Sequence, residues 1–159
     1  MKFLTTVSLT IYALDQATKW WTIDADGRGY LPHTVIPGYF NLVYWKNTGA
    51  AFSIGDGNNW LFIGLSIVAL IGFVIAWNRG IFKEALSQWG VALLIGGILG
   101  NVTDRIHLGH VVDFLLFDLH VRFANPWPAF NVADSAICTA VGLFIISSFR
   151  SEKPRNAAA

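Results

Sequence analysis

The chain has 159 residues, 54% hydrophobic and 13% charged, with a mean hydropathy of +0.50 and a formal charge of +1. A soluble domain carries about 25% charged residues, so a water-soluble globular domain is excluded, and the balanced charge excludes a nucleic-acid footprint. A single cysteine, Cys138, excludes an intrachain disulfide and any multi-cysteine metal site.

In chain order, the first apolar run covers residues 3–21, uninterrupted to Leu14 and then broken by Asp15, Gln16 and Lys19. Lys2 before it imitates a secretory signal, but no small-x-small cleavage site follows Leu14, so the run reads as an uncleaved first span. Residues 39–45, YFNLVYW, are aromatic and β-branched and predict a strand leading into Asn47-Thr48-Gly49. The stretch from Asp24 to Lys46 carries no recognised motif. Residues 60–77, WLFIGLSIVALIGFVIAW, are uncharged with Trp at each end, which predicts a span with interfacial anchors. A third span is expected over 89–105, a second strand over 111–117 (VVDFLLF), and a fourth span over 131–149 after Pro126 and Pro128. SEKPRNAAA reads as a short solvated tail, and no internal repeat is visible. The expected fold is thus a single, mainly α integral membrane domain, residues 1–159. It has four transmembrane helices, a small extracytoplasmic sheet between spans 1 and 2, and a second outer loop between spans 3 and 4.

Four spans put both termini on one side. The termini and the 2–3 loop carry six bases (Lys2, Arg79, Lys83, Arg150, Lys153, Arg155) against Glu84 and Glu152, a net +4. The opposite side carries five bases (Lys19, Arg28, Lys46, Arg105, Arg122) against eight aspartates, a net −3. The termini are therefore expected in the cytoplasm, with the unusual polar residues at the outer face.

Ionisable groups at membrane depth are costly and point to function. Asp15 and Lys19, spaced i, i+4, share a helical face and read as a structural ion pair. Asp134 opens the last span with Asn131 and Cys138 on its face; the alternative reading is a capping carboxylate favoured by the helix dipole. Asn101 and Arg105 share a face at the end of the third span, where Gly96 and Gly100 form a small-xxx-small pattern for close helix packing. Asp113 interrupts an apolar strand. If Asp113 and Asp134 converge, they form an aspartic peptidase pair. Two carboxylates about 3 Å apart in a low dielectric share one proton. The charged member then activates water while the neutral one protonates the oxyanion.

Two rival chemistries use other residues. His107-x-x-His110-x-x-Asp113 has metal-like spacing, but Gly109 and the β-branched pair argue against one helix, and strand residues three apart face opposite ways. A Ser/Lys peptidase would use Ser53 or Ser135 with Lys19 or Lys46. A non-enzymatic reading, a proton relay through Asp15, Asp113 and Asp134, lacks the repeats and midplane site expected of a transporter.

Four blocks stand in order: Asp15-Gln16-x-x-Lys19, Asn47-Thr48-Gly49-Ala50-Ala51-Phe52-Ser53, Gly100-Asn101-x-x-Asp104-Arg105 leading to Gly109-x-Val111-Val112-Asp113-Phe114, and Phe130-Asn131-x-Ala133-Asp134-Ser135. Together they resemble the bacterial lipoprotein signal peptidases, or signal peptidase II. That resemblance implies a membrane aspartic endopeptidase with Asp113 and Asp134 catalytic and no metal or cofactor. It implies that Asn47, Gly49, Asn101, Arg105 and Asn131 bind substrate or orient the aspartates, and that Asp15, Lys19, Gly97 and Ala133 support the architecture. The implied substrate is a prolipoprotein cut just before its diacylglyceryl-modified cysteine. The implied partners are membrane lipids and inhibitory cyclic peptides of the globomycin type, and the implied state is a monomer in the bacterial inner membrane.

Overall fold

The computed structural model describes residues 1–49, 55–121 and 126–151. Ser53, Arg122 and the expected solvated tail from Glu152 onward, with Lys153 and Arg155, lie outside the described residues. The elements follow as α1 (Lys2–Gly27), β1 (His33–Ile36), β2 (Phe40–Asn47), α2 (Asn59–Asn78), α3 (Ala85–His107), β3 (Val111–Phe117) and α4 (Val132–Ser151).

Among the described residues three helices, α2, α3 and α4, are long and apolar enough to cross a bilayer. α1 differs because Asp15, Lys19, Asp24 and Asp26 interrupt it, yet Asp15 and Lys19 are buried inside the bundle. It also runs past its expected end at residue 21, since no helix breaker intervenes before Gly27, and Thr22 and Ala25 are buried in that extension. α1 packs against β2 and β3 as well as α3 and α4, so it also supports the sheet. α2 buries only Ile63 and leaves Trp60, Leu61, Leu65 and Val68 exposed, a surface suited to lipid rather than water.

α3 is the central helix and packs against the other three. Lipid tails are as apolar as leucine, so close approach must hold these helices together. The glycines of α3 provide it. A Cβ on Gly96 would lie 2.7 Å from the Ser8 carbonyl oxygen of α1, and one on Gly97 would lie 2.6 Å from the Ala133 carbonyl oxygen of α4. A Cβ on Gly100 would collide with the Asp15 carboxylate. Ser8 uses the proximity to α3 to donate to the Ala92 carbonyl at 2.8 Å. At the other end of the bundle, Leu4, Val91, Ala92 and Ile95 form a core flanked by Phe73, Phe82 and Phe144.

The sheet is antiparallel with order β1-β2-β3. β3 spans the expected residues, whereas β2 extends to Asn47 and β1 was not anticipated. β1 is short and fully exposed, so it carries no alternation of burial for a sequence reading to detect. β3 is buried over Val111 to Phe114, where it dips against the helices, and only half-buried beyond. Gly109, with φ at 77°, supplies the reversal between α3 and β3. On its far side β3 is extended by Phe130, which exchanges backbone hydrogen bonds with Leu115 at 2.9 and 3.1 Å. Phe40, Phe117 and Phe130 stack across this junction, with centroids 4.5 and 5.7 Å apart. The pairing leads the chain directly into Asn131 and α4.

Candidate active site

Asn131 is the N-cap of α4 and is fully buried. Its Oδ1 accepts the Asp134 amide at 2.9 Å, while Asp134 Oδ2 accepts the Asn131 amide at 3.2 Å, a reciprocal capping box. The capping reading of Asp134 is therefore correct, but it occupies only one carboxylate oxygen. The other, Oδ1, accepts the Asn101 side-chain amide at 2.7 Å.

The pairing of Phe130 with Leu115 sets Asn131 beside Asp113. Asn131 Nδ2 donates to Asp113 Oδ1 at 2.8 Å, so one buried residue bonds both carboxylates, that of Asp113 through its side-chain amide and that of Asp134 through its backbone amide. Asp113 Oδ2 accepts Asn47 Nδ2 at 2.9 Å, and Asn47 Oδ1 accepts the Gly49 amide at 3.0 Å. Asp113 is 3% exposed. Burial, and then the neighbouring Asp134 charge, push its carboxyl up to about 7, against the hydrogen bonds from Asn47 and Asn131.

Both aspartates line one cavity of about 700 Å³, with Asn47, Gly49, Asn101 and Arg105 among its polar wall and Trp45, Val111, Trp127, Phe130 and Ile137 among its apolar wall. Such a site fits an extended, largely apolar ligand fixed by a few polar groups. Cys138 lies in the same wall.

Arg105, 8% exposed, does not pair with either aspartate. Its Nη2 donates to the Gly49 carbonyl at 2.5 Å, its Nη1 to Asn59 Oδ1 at 3.3 Å, and its guanidinium lies 4.8 Å from the Phe62 ring centroid. Asn59 Nδ2 returns a bond to the Arg105 carbonyl at 3.0 Å. Arg105 thus ties the segment after β2 to α2 and α3, and it still faces the cavity. Asn101 is likewise engaged on both ends of its amide, which suits orienting an aspartate better than holding substrate.

Asp15 and Lys19 form the expected ion pair at 2.8 Å, and Asp15 Oδ1 additionally accepts the Ala133 amide at 2.9 Å, tying α1 to the first turn of α4. Ala133 is fully buried at the Gly97 crossing. Lys19 also bonds Asp104 at 2.9 Å. The sequence reading left Asp104, Gln16 and Asn59 without roles. Asp104 is 3% exposed and accepts Gln16 Nε2 at 2.9 Å and the Val112 amide at 3.1 Å, so it also anchors β3. Gln16 and Asp104 stand in the recognised blocks, a signal that existed. Asn59 lay just outside the expected second span, with only its polarity as a hint.

Among the described residues the rival sets do not assemble; Ser53 lies outside them. His107 is exposed and lines a separate cavity with Gln16 and Lys19, while His110 lies 3.5 Å from the Tyr44 hydroxyl. Among the described residues no three His, Cys, Asp or Glu side chains are grouped as metal ligands. Lys19 is committed to its carboxylates, and the Ser135 hydroxyl donates to the Asn131 carbonyl at 3.0 Å.

Comparisons with known proteins show what the chain is similar to. A family model described as signal peptidase (SPase) II matches residues 7–150. Among curated relatives, the lipoprotein signal peptidase of Aeromonas hydrophila is 42% identical, covering 94% of this chain and 90% of its own. That of Xylella fastidiosa is also 42% identical, covering 92% and 88%. A solved bacterial membrane enzyme, determined by the in meso method at 2.3 Å, superposes with a TM-score of 0.85 at 28% identity, covering 100% of this chain and 96% of that one.

Proposed function

This chain belongs to the signal peptidase II family, and on that premise we propose that Asp113 and Asp134 are the pair with which it removes signal peptides from prolipoproteins. One observation carries the assignment: the two carboxylates, borne on a strand and a helix, line one cavity and are both held by the buried Asn131.

Near neutrality the pair keeps one proton, since Asp113 titrates at about 7 and the two carboxylates repel. The charged member takes a proton from water as its oxygen attacks the scissile carbonyl, and the neutral member gives its proton to the carbonyl oxygen. As the gem-diol collapses and the C–N bond breaks, the charged member takes a hydroxyl proton from it and the neutral member gives its proton to the departing amine, which restores the singly protonated pair. Asn101, Asn131 and Asn47 fix the carboxylates. Arg105 and Gly49 form the wall against which the peptide backbone lies. Asp15, Lys19, Gly97 and Ala133 hold the crossing of α1, α3 and α4.

The substrate cysteine bears a diacylglyceryl group, and cleavage falls just before it. The apolar side chains of Ile137 and Trp127 in the cavity wall suit the lipid chains. A globomycin-type cyclic peptide would compete for the same cavity. α1 is the fourth span: its 26 residues extend about 39 Å at 1.5 Å per residue, and its buried charges are neutralised inside the bundle. The chain then resides in the bacterial inner membrane, with both termini cytoplasmic and the sheet and cavity outside.

Two measurements test this reading. The purified protein in detergent should cleave a diacylglyceryl-modified precursor at full rate in the presence of EDTA; loss of activity restored by Zn²⁺ would transfer the chemistry to His107, His110 and Asp113. A reporter active only outside the cytoplasm should work when fused near Asp56 or Arg122 and fail near Lys83 or after Arg155. The reverse pattern would overturn the topology and the location of the site.

A further inference from the structure

Behind the aspartates lies a buried charge cluster that the reaction as written does not use. Lys19 is 2% exposed, and its two carboxylate partners, Asp15 and Asp104, are 0% and 3% exposed. Its ammonium donates to Asp15 Oδ2 at 2.8 Å, to Asp104 Oδ2 at 2.9 Å and to Asn101 Oδ1 at 2.9 Å, so its three protons have three acceptors. The Asp15 pair lies within α1, and the Asp104 pair already secures α1 to α3. The third bond is directed at the residue that holds Asp134.

Asn101 has two distinct ends. Its Oδ1 accepts from Lys19 and from Asn131 Nδ2 at 3.2 Å, and its Nδ2 donates to Asp134 Oδ1 at 2.7 Å. A half-turn of this amide would aim its NH₂ at an ammonium and its oxygen at a carboxylate, which is repulsive at both ends. Lys19 therefore selects the orientation in which Asn101 is a donor to Asp134, and its charge polarises that amide. Asp134 is faced by Asp15 and Lys19 from α1, Arg105 from α3 and Asp113 from β3, while Lys46 of β2, Asp56 and Cys138 line the same cavity. Lys19 is the cation linked to Asp134 through a single amide.

We propose that Lys19 is a positioning residue for the cleavage reaction, acting through Asn101 to hold Asp134 as the hydrogen-bond-accepting, proton-abstracting member of the pair. This rests on the assignment of Asp113 and Asp134 given above.

The test is a double-mutant cycle on the full chain in detergent, with kcat, KM and pH profiles measured on a diacylglyceryl precursor. Lys19→Met should lower kcat on the order of ten- to a hundredfold with little change in KM. It should also move the acid limb of the profile to higher pH, because the charge favouring an ionised Asp134 is gone. In an Asn101→Leu background the same change should cost less than about twofold, since the path is already cut. Lys19→Met strands two buried carboxylates, so Lys19→Met with Asp104→Asn, compared with Asp104→Asn alone, repeats the test with one carboxylate removed. Equal slowing in the two Asn101 backgrounds, an unmoved pH profile, or failure of both Lys19 variants to insert would each overturn the proposal and leave Lys19 a packing residue. Cleavage by an Asp113→Asn protein would instead overturn the catalytic assignment.

Discussion

Asp113→Asn and Asp134→Asn should each slow cleavage of a diacylglyceryl precursor by about 10⁴-fold or more, because each removes one half of a proton exchange that serves both water activation and oxyanion protonation. Asparagine keeps the size of the side chain and one acceptor. Asp113 would retain a bond from either Asn47 or Asn131, and Asp134 would retain one from either Asn101 or the Asn131 amide. Membrane insertion and thermal stability should therefore survive. The wild-type rate should follow a bell in pH, falling above about 7 as the pair loses its shared proton.

The sign for stability follows from the same shift. Asp113 has a folded value raised from 3.8 to about 7, so its protonation favours the fold in acid, and that contribution is lost as pH rises through about 7. The Asp113→Asn protein should lack this pH dependence and be at least as stable as wild type at pH 8. A stably inserted Asn variant with near-normal turnover would refute the aspartic mechanism.

Asn131→Ser should come next in effect. Serine is as good an N-cap as asparagine, so α4 should start as before, and loss of the cap, worth about 0.5–2 kcal/mol, should not be seen. Serine does not reach Asp113, however, and so removes the bond that ties Asp113 to the cap of the Asp134 helix. Misplacing a reacting group by about 1 Å costs on the order of a hundredfold, and kcat for this variant should fall by that much or more. Asn131→Ala should add the stability loss to the same rate loss. If Asn131→Ser kept wild-type kcat, Asn131 would be a helix cap and nothing more.

Much of this protein is legible in one dimension. An uncharged run such as residues 60–77 has one stable setting, because lipid offers no partner to an open backbone. The i, i+4 spacing of Asp15 and Lys19 puts them within reach of each other in any helix, and the β-branched and aromatic content of residues 111–117 favours a strand. Asp113 and Asp134 stood out because carboxylates in apolar sequence are costly without a purpose. Beyond this, the sequence determined membrane residence and candidate residues through local periodicity and composition, both of which act within a few residues along the chain.

The tertiary structure decided which of those residues meet. Nothing in the spacing of Phe130 and Leu115 shows that they pair, yet that bridge delivers Asn131 to Asp113. Nothing near Asp104 reveals that its partner is Lys19, on a helix that crosses at glycines whose absent side chains permit the approach. Arg105 read as a residue that binds substrate or orients the aspartates, and in the structure it contacts Gly49, Asn59 and Phe62, contributed by segments more than 40 residues earlier in the chain. The division has one physical reason. Helix and strand formation depend on neighbours in sequence, whereas hydrogen-bond partners and the proton affinity of a buried carboxyl depend on groups that only packing brings together.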